Sequence, residues 1–224
     1  MLGIGGGSIM VPVSYWLILA MGVCPDIALK IAFGTSLLVI LPTAVSGSWR
    51  HNKNNAVRWK TALVLGSTGL VGGLVGATLE AQLPVRILEI GFGGLVLAIA
   101  IWMALGMVPK LAREAREPRE NFALVAACGF PIGVVTGLTG LGGGTLIVPT
   151  LVLGLNFPMQ VAVGTSVACI ILTSLGGIVG YIVNGLGVSG LLPYSLGYIN
   201  LPIWLCLAVT STIFAQLGAR AAHA

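Results

Sequence analysis

The chain has 224 residues, 57% of them hydrophobic and only 8% charged, with a mean hydropathy of +1.04. Soluble domains carry about 25% charged residues, and residues 121–219 contain no Asp, Glu, Lys, Arg or His at all, so an ordinary water-soluble fold is excluded. The net charge of +5 is concentrated in loops, where it reads as an orientation signal and makes a poor case for nucleic-acid binding.

The first apolar element, residues 8–21, is too short to cross a bilayer, which takes ~20 residues of helix. It directly follows the block Gly3-Ile4-Gly5-Gly6-Gly7-Ser8-Ile9-Met10-Val11-Pro12. Full-length spans are predicted over residues 31–49, 61–79 and 90–108. The loop between the first two carries Arg50, Lys53, Arg58 and Lys60 with no acid, and Lys110, Arg113, Arg116 and Arg119 lie beyond the third, interleaved with Glu114, Glu117 and Glu120. Two spans separate these basic loops, so both fall on one side, which the positive-inside rule makes cytoplasmic. Residues 109–121 form a solvated, partly helical link.

Beyond the link come a span at residues 122–139 and the block Gly140-Leu141-Gly142-Gly143-Gly144-Thr145-Leu146-Ile147-Val148-Pro149, a conservative copy of the first. A second short segment, residues 145–155, follows it, then spans at 161–183 and 196–217. Gly34-Thr35-Ser36 also recurs, as Gly164-Thr165-Ser166. The runs are continuous rather than alternating, which excludes a closed β-barrel. The fold class is therefore all-α, a polytopic helical membrane protein of two repeats, each with a short Gly-interrupted half-helix. The divisions are 1–108 for the first repeat, 109–121 for the cytoplasmic linker and 122–224 for the second repeat. By comparison of the halves, the first repeat lacks its first helix and the second its last. An odd number of elements per repeat predicts an inverted arrangement, whereas re-entrant short segments would make the repeats parallel.

Glycine-rich interruptions beside short apolar segments, at matching positions of two halves, point to a transporter's binding site. Gly5, Gly6, Gly7 and Gly142, Gly143, Gly144 can expose N–H groups without side-chain obstruction. Helices starting at Ser8 and Thr145 would turn their orphan N–H groups and positive dipole ends toward that loop. Pro12 and Pro149 would limit both helices. Gly34, Thr35, Ser36 and Gly164, Thr165, Ser166 offer paired hydroxyls to an oxyanion, unless those hydroxyls bond their own helix carbonyls. The competing reading of the glycine blocks is close helix packing, which is the better account of Gly69/Gly73, Gly72/Gly76 and Gly129/Gly133/Gly137. A nucleotide-binding loop fails for want of the later glycine and the βαβ unit.

Lys30 reads as an interfacial, snorkelling residue, with attraction of anions to an entrance as the bolder alternative. Asp26, Glu80, Arg86 and Glu89 read as interfacial, Glu89 being the acid that could couple protons unless Arg86 pairs with it. Cys24, Cys128, Cys169 and Cys206 stand singly without metal-ligand spacing, and His51 and His223 are isolated. No cofactor, metal or enzymatic activity is expected.

With these residues in view, the chain resembles the TauE/SafE family of sulfite-exporter-like membrane permeases. The resemblance is carried by Gly3–Pro12 with Gly34-Thr35-Ser36, by Gly140–Pro149 with Gly164-Thr165-Ser166, and by Val57-Arg58-Trp59 leading to Gly76-Ala77. It implies movement of small sulfur-containing anions such as sulfite or organosulfonates. The expectation is a multi-pass protein of the cell membrane, in bacteria the inner membrane. Its partners would be a small anion and the lipid bilayer, with homo-oligomerisation open. Transport would proceed by alternating access around the two glycine-rich half-helices; the alternative is a non-transporting scaffold or fragment whose glycines only pack helices.

Overall fold

The computed structural model describes residues 7–104 and 122–221. Its helices are α1 (Gly7–Ala20), α2 (Pro25–Lys53), α3 (Trp59–Gln82), α4 (Val85–Ala104), α5 (Phe122–Thr139), α6 (Gly144–Pro149), α7 (Met159–Gly185) and α8 (Leu201–Ala221). A π-helical turn, Thr150–Gly154, continues α6. Before α8, Ser195–Leu196 pairs antiparallel with Ile199–Asn200, so the last span starts at Leu201 rather than at residue 196 as expected. The polar Asn200 accounts for this: its Oδ1 accepts the N–H of Ile203 at 3.0 Å, the bond of a helix N-cap.

Among the described residues four helices, α2, α3, α5 and α7, are long and apolar enough to cross a membrane. The helix α5 ends at Thr139, as expected. The protein is a multi-pass, all-α membrane protein. Large apolar side chains such as Trp16, Ile90 (73% exposed) and Leu97 face outward, as a hydrocarbon solvent permits and water would not.

Small residues set the helix packing. In α2 and α7, Gly34 meets Tyr181, Leu37 meets Gly177, Gly47 meets Val167 and His51 meets Gly164. Residue numbers rise along one helix as they fall along the other, so the two are antiparallel. In α3 and α5 the glycines form a seam that runs in parallel. A Cβ added at Gly133 would lie 2.7 Å from the Gly69 Cα, and one at Gly137 would lie 2.7 Å from the Ala77 nitrogen. On another face of α3, Gly66, Leu70 and Gly73 meet Leu172, Gly176 and Gly177 of α7. Without a hydrophobic force between helices in lipid, such close approach of backbones supplies the dispersion contacts that hold a bundle. The expected packing role of Gly69, Gly72, Gly73, Gly76, Gly129, Gly133 and Gly137 is what the structure displays.

Two buried clusters occupy opposite ends of the bundle. One gathers Ala44, Ala62, Val125, Leu151, Val152, Leu155, Phe157 and Ala162, at the end where α2 finishes and α3 begins with Arg50, Lys53, Arg58 and Lys60. The other gathers Val11, Ile18, Ala28, Leu29, Ala77, Tyr181 and Tyr198.

Candidate functional site

The second glycine block lies deep in the bundle. Gly140, Gly142 and Gly143 have φ of 65°, 75° and 75°, a left-handed region that side-chain-bearing residues rarely enter. These turns reverse the chain between α5 and α6 within four residues. The space is as restrictive as the torsions. A Cβ on Gly140 would lie 2.7 Å from the Phe33 Cα, and one on Gly142 would lie 2.9 Å from Ile40 Cδ1. Ile40 and its neighbour Ile170 are near the midpoints of α2 and α7, so the loop sits at mid-depth.

The first block arrives at the same place. A Cβ on Gly7 would lie 2.9 Å from the Leu141 Cα, so the start of α1 abuts the second glycine loop. From there α1 runs into the cluster containing Val11 and Ile18, while α6 and its π-helical turn run into the cluster containing Leu151 and Val152. The two short helices thus begin side by side and head for opposite ends of the bundle. The helix α6 starts at Gly144, one residue before the expected Thr145, and α1 is helical from Gly7, the first described residue. Gly5 and Gly6 lie outside the described residues.

The prolines act differently from expectation. Pro12 lies inside α1, which continues to Ala20. Its missing N–H leaves one carbonyl free near the helix start, and apolar contacts beyond it sustain the helix. Pro149 does close α6, yet the chain goes on as the π-helical turn.

At Thr145 the side chain is 7% exposed, and its Oγ1 has no hydrogen-bond partner. A buried hydroxyl without a partner costs about 1–3 kcal/mol on the scale of protein mutations. The carbonyl of the N-cap Gly143 takes the N–H groups of Leu146 and Ile147, leaving the Gly144 and Thr145 N–H groups among the orphans of the first turn. Ser8, at the corresponding place in α1, is half-buried.

The two Gly-Thr-Ser segments make a reciprocal pair of contacts. Gly34 in α2 packs under the Tyr198 carbonyl at 2.8 Å from a built Cβ, and Thr35 Oγ1 accepts the N–H of Asn200 at 3.1 Å. Gly164 in α7 packs in the same manner under the Ala56 carbonyl, and Thr165 Oγ1 accepts the N–H of Arg58 at 3.0 Å. In each case a hydroxyl from one half of the chain satisfies a backbone donor in the loop that leads into a helix of the other. Ser36 Oγ donates to the carbonyls of Phe33 and Gly140, both at 2.8 Å, so it ties α2 to the glycine loop. Ser166 Oγ donates within its own helix, to Val163 at 2.8 Å.

Of the ionisable residues expected at the interface, Glu80 stands elsewhere, while Asp26, Arg86 and Glu89 are exposed. Glu80 is fully buried, because α3 ends beneath α2 and α7 rather than at a free surface. Lys30 reaches across to α3, its Nζ donating to the Ala81 carbonyl at 2.7 Å, and lies 5.7 Å from the Tyr198 ring centroid. Glu89 accepts a hydrogen bond from the Tyr15 hydroxyl at 2.6 Å, a partner seventy-four residues away that helical spacing could not reveal. Asp26 Oδ1 accepts the Val85 N–H at 3.1 Å at the α3–α4 turn. Tyr181 and Asn200, absent from the candidates above, are both buried and bonded across elements; Tyr181 donates to the Gly137 carbonyl at 2.7 Å. Asn200 before Leu-Pro had a legible N-cap signal. Among the described residues no group of three or more His, Cys, Asp or Glu could hold a metal ion.

Comparison with known proteins fits this architecture. A protein of Methanocaldococcus jannaschii named as a probable membrane transporter is 32% identical over 219 residues, covering 97% of this chain and 79% of its own. One of Haemophilus influenzae with the same name is 29% identical, covering 98% of this chain and 81% of its own. The Bacillus subtilis probable membrane transporter YunE is 30% identical across 83% of this chain and 73% of its own. No solved structure matches the chain significantly. The profile of the family described as sulfite exporter TauE/SafE matches residues 1–224, and with that match the chain belongs to the TauE/SafE family of membrane transporters.

Proposed function

We propose that this transporter moves small sulfur oxyanions, sulfite or an organosulfonate, by alternating access around the paired starts of α1 and α6. In this reading residues 1–108 and 122–224 are inverted repeats joined by the linker 109–121. The antiparallel pairing of α2 with α7, the reciprocal Thr35 and Thr165 contacts, and the opposite courses of α1 and α6 all favour it. The two Gly-Thr-Ser segments then fix the frame, and Ser36 holds the glycine loop to it.

The observation that carries the reading is the buried, unpartnered Thr145 hydroxyl, four residues beyond Leu141, where Gly7 of α1 meets the repeated glycine block. An oxyanion there would take the Thr145 O–H together with N–H groups from Gly144 and Thr145, and would be met from α1 by Gly7 and Ser8. No lysine is needed, since oriented dipoles and hydrogen bonds stabilise a small anion in a dry site.

Uptake of radiolabelled sulfite into proteoliposomes tests this. Thr145→Val keeps the shape and removes the donor, and it should lower uptake by about tenfold, the equivalent of one hydrogen bond near 1.4 kcal/mol. Thr145→Ser should retain most of it. Equal uptake by wild type and the Val variant would overturn the assignment of the site. Absence of uptake by every variant, across sulfite and organosulfonates, would favour the scaffold reading instead.

A further inference from the structure

Glu80 lies in the last turn of α3, is 0% exposed, and has no hydrogen-bond partner at either carboxyl oxygen. Each element packed around it brings a defined group. Lys30 comes from α2, with its ammonium on the neighbouring Ala81 carbonyl. Tyr181 comes from α7, with its hydroxyl committed to Gly137. Tyr198 comes from the turn before α8, beside the Lys30 ammonium. The charge of Lys30 is felt at Glu80, and that of Glu80 at both phenols. On α4, Arg86 and Glu89 are exposed, and α5 carries no charged residue.

An ionised carboxylate in this setting would have the field of Lys30 but none of the hydrogen bonds that burial of a charge demands, whereas a carboxylic acid would need far less. Ionisable residues buried in a membrane bundle mark functional sites, proton relays among them. A bound metal cation fits poorly, because the nearest charged neighbour is an ammonium and hard cations want several oxygens.

We propose that Glu80 is a proton-binding site that couples a proton gradient to anion movement, with Lys30 as its switching counter-charge. The inference rests on the transport reading above. When the proton is bound, Glu80 is neutral, Lys30 holds the Ala81 carbonyl, and the pair carries one net positive charge. When the Glu80 O–H bond breaks, the proton leaves to water past the half-buried Lys30. The ammonium exchanges the Ala81 carbonyl for the carboxylate, and the pair becomes neutral. Lys30 is one helical turn from Phe33, on which Gly140 rests, so the positive state favours an anion near the glycine loop and the neutral state releases it. Proton and anion therefore travel together.

Two measurements on the reconstituted full chain test this. Infrared difference spectra between about pH 3 and pH 9, a span that includes the ordinary carboxyl value of about 4.3, should contain a protonated-carboxyl C=O band that is lost in Glu80→Gln. In proteoliposomes, Glu80→Gln, fixed in the positive state, should bind sulfite at least as tightly as the wild type and lose gradient-driven accumulation by tenfold or more. If Glu80→Gln does not assemble, Glu80→Asp serves, with a displaced band and weakened accumulation. A wild type without the band, a Gln variant that keeps it, or undiminished gradient-driven accumulation would each overturn the proposal. Should the wild type fail to exchange sulfite at all, the transport reading fails, and the infrared band alone decides whether Glu80 binds the proton.

Discussion

Replacing Gly133 by alanine isolates what the α3–α5 seam contributes. The added Cβ would lie 2.7 Å from the Gly69 Cα and would overlap the Gly69 carbonyl. Carbon–carbon contacts are optimal at about 3.5–4.0 Å, so the helices must part by about 1 Å, and backbone cannot rotate away as a side chain would. Overpacking of this kind costs about 1–3 kcal/mol. Alanine also gains about 1 kcal/mol of helix propensity over glycine, which obscures the steric cost in a single mutant. Gly91 provides the matched control: it is helical, in α4, and a Cβ there meets nothing within 4 Å. Propensity cancels between Gly133→Ala and Gly91→Ala, leaving the steric difference of about 1–3 kcal/mol. At about 2–4 °C per kcal/mol for a chain of this size, the melting temperatures in one detergent–lipid mixture should differ by roughly 2–12 °C, with Gly133→Ala the lower. Equal melting temperatures would refute the close-packed seam.

Thr165→Val should destabilise the protein by about 1–3 kcal/mol, since it leaves the Arg58 N–H without its acceptor; Thr165→Ser should not, and thermal unfolding of the two variants makes the comparison. Asn200→Ala removes an N-cap acceptor and the bonds of Nδ2 to Pro193 and Ser195, so a loss above the usual ~1 kcal/mol of a cap is expected in the same assay. The Tyr198 phenol is held above its ordinary value, first by burial and second by Glu80. A raised native value means stability that is fully present below the unfolded value of about 10 and is lost as pH climbs through the native one. Tyr198→Phe should therefore flatten the alkaline limb of the stability profile, as read by unfolding at stepped pH.

Those elements were legible in the sequence whose limits are set by local chemistry. The helix α5 ends at Thr139 against the glycine block, and α6 begins within one residue of the position the glycines indicate. The hairpin before α8 was not legible, because Leu196 and Ile199 are as apolar as the helix they precede; only Asn200 betrays the boundary. Glu80 was misplaced because distance along a span says nothing about which helices cover its end. The repetition of Gly-Thr-Ser was visible, but its contacts join residues 107 and 165 positions apart, and no periodicity encodes a partner at that range. Thr145 was identified as a candidate from the repeated block, while the lack of a partner for its hydroxyl is a property of the packed interior alone.

The reciprocal threonine contacts have a consequence for biogenesis. As the chain emerges, the Arg58 amide precedes its acceptor Thr165 by 107 residues, and the Thr35 hydroxyl precedes its donor at Asn200 by 165. The first half can make neither contact until the second is synthesised, so its Arg58 amide and Thr35 hydroxyl lack these partners until then. Closure therefore comes late in synthesis: a chain that stops short of Asn200 leaves Thr35 Oγ1 without its backbone donor.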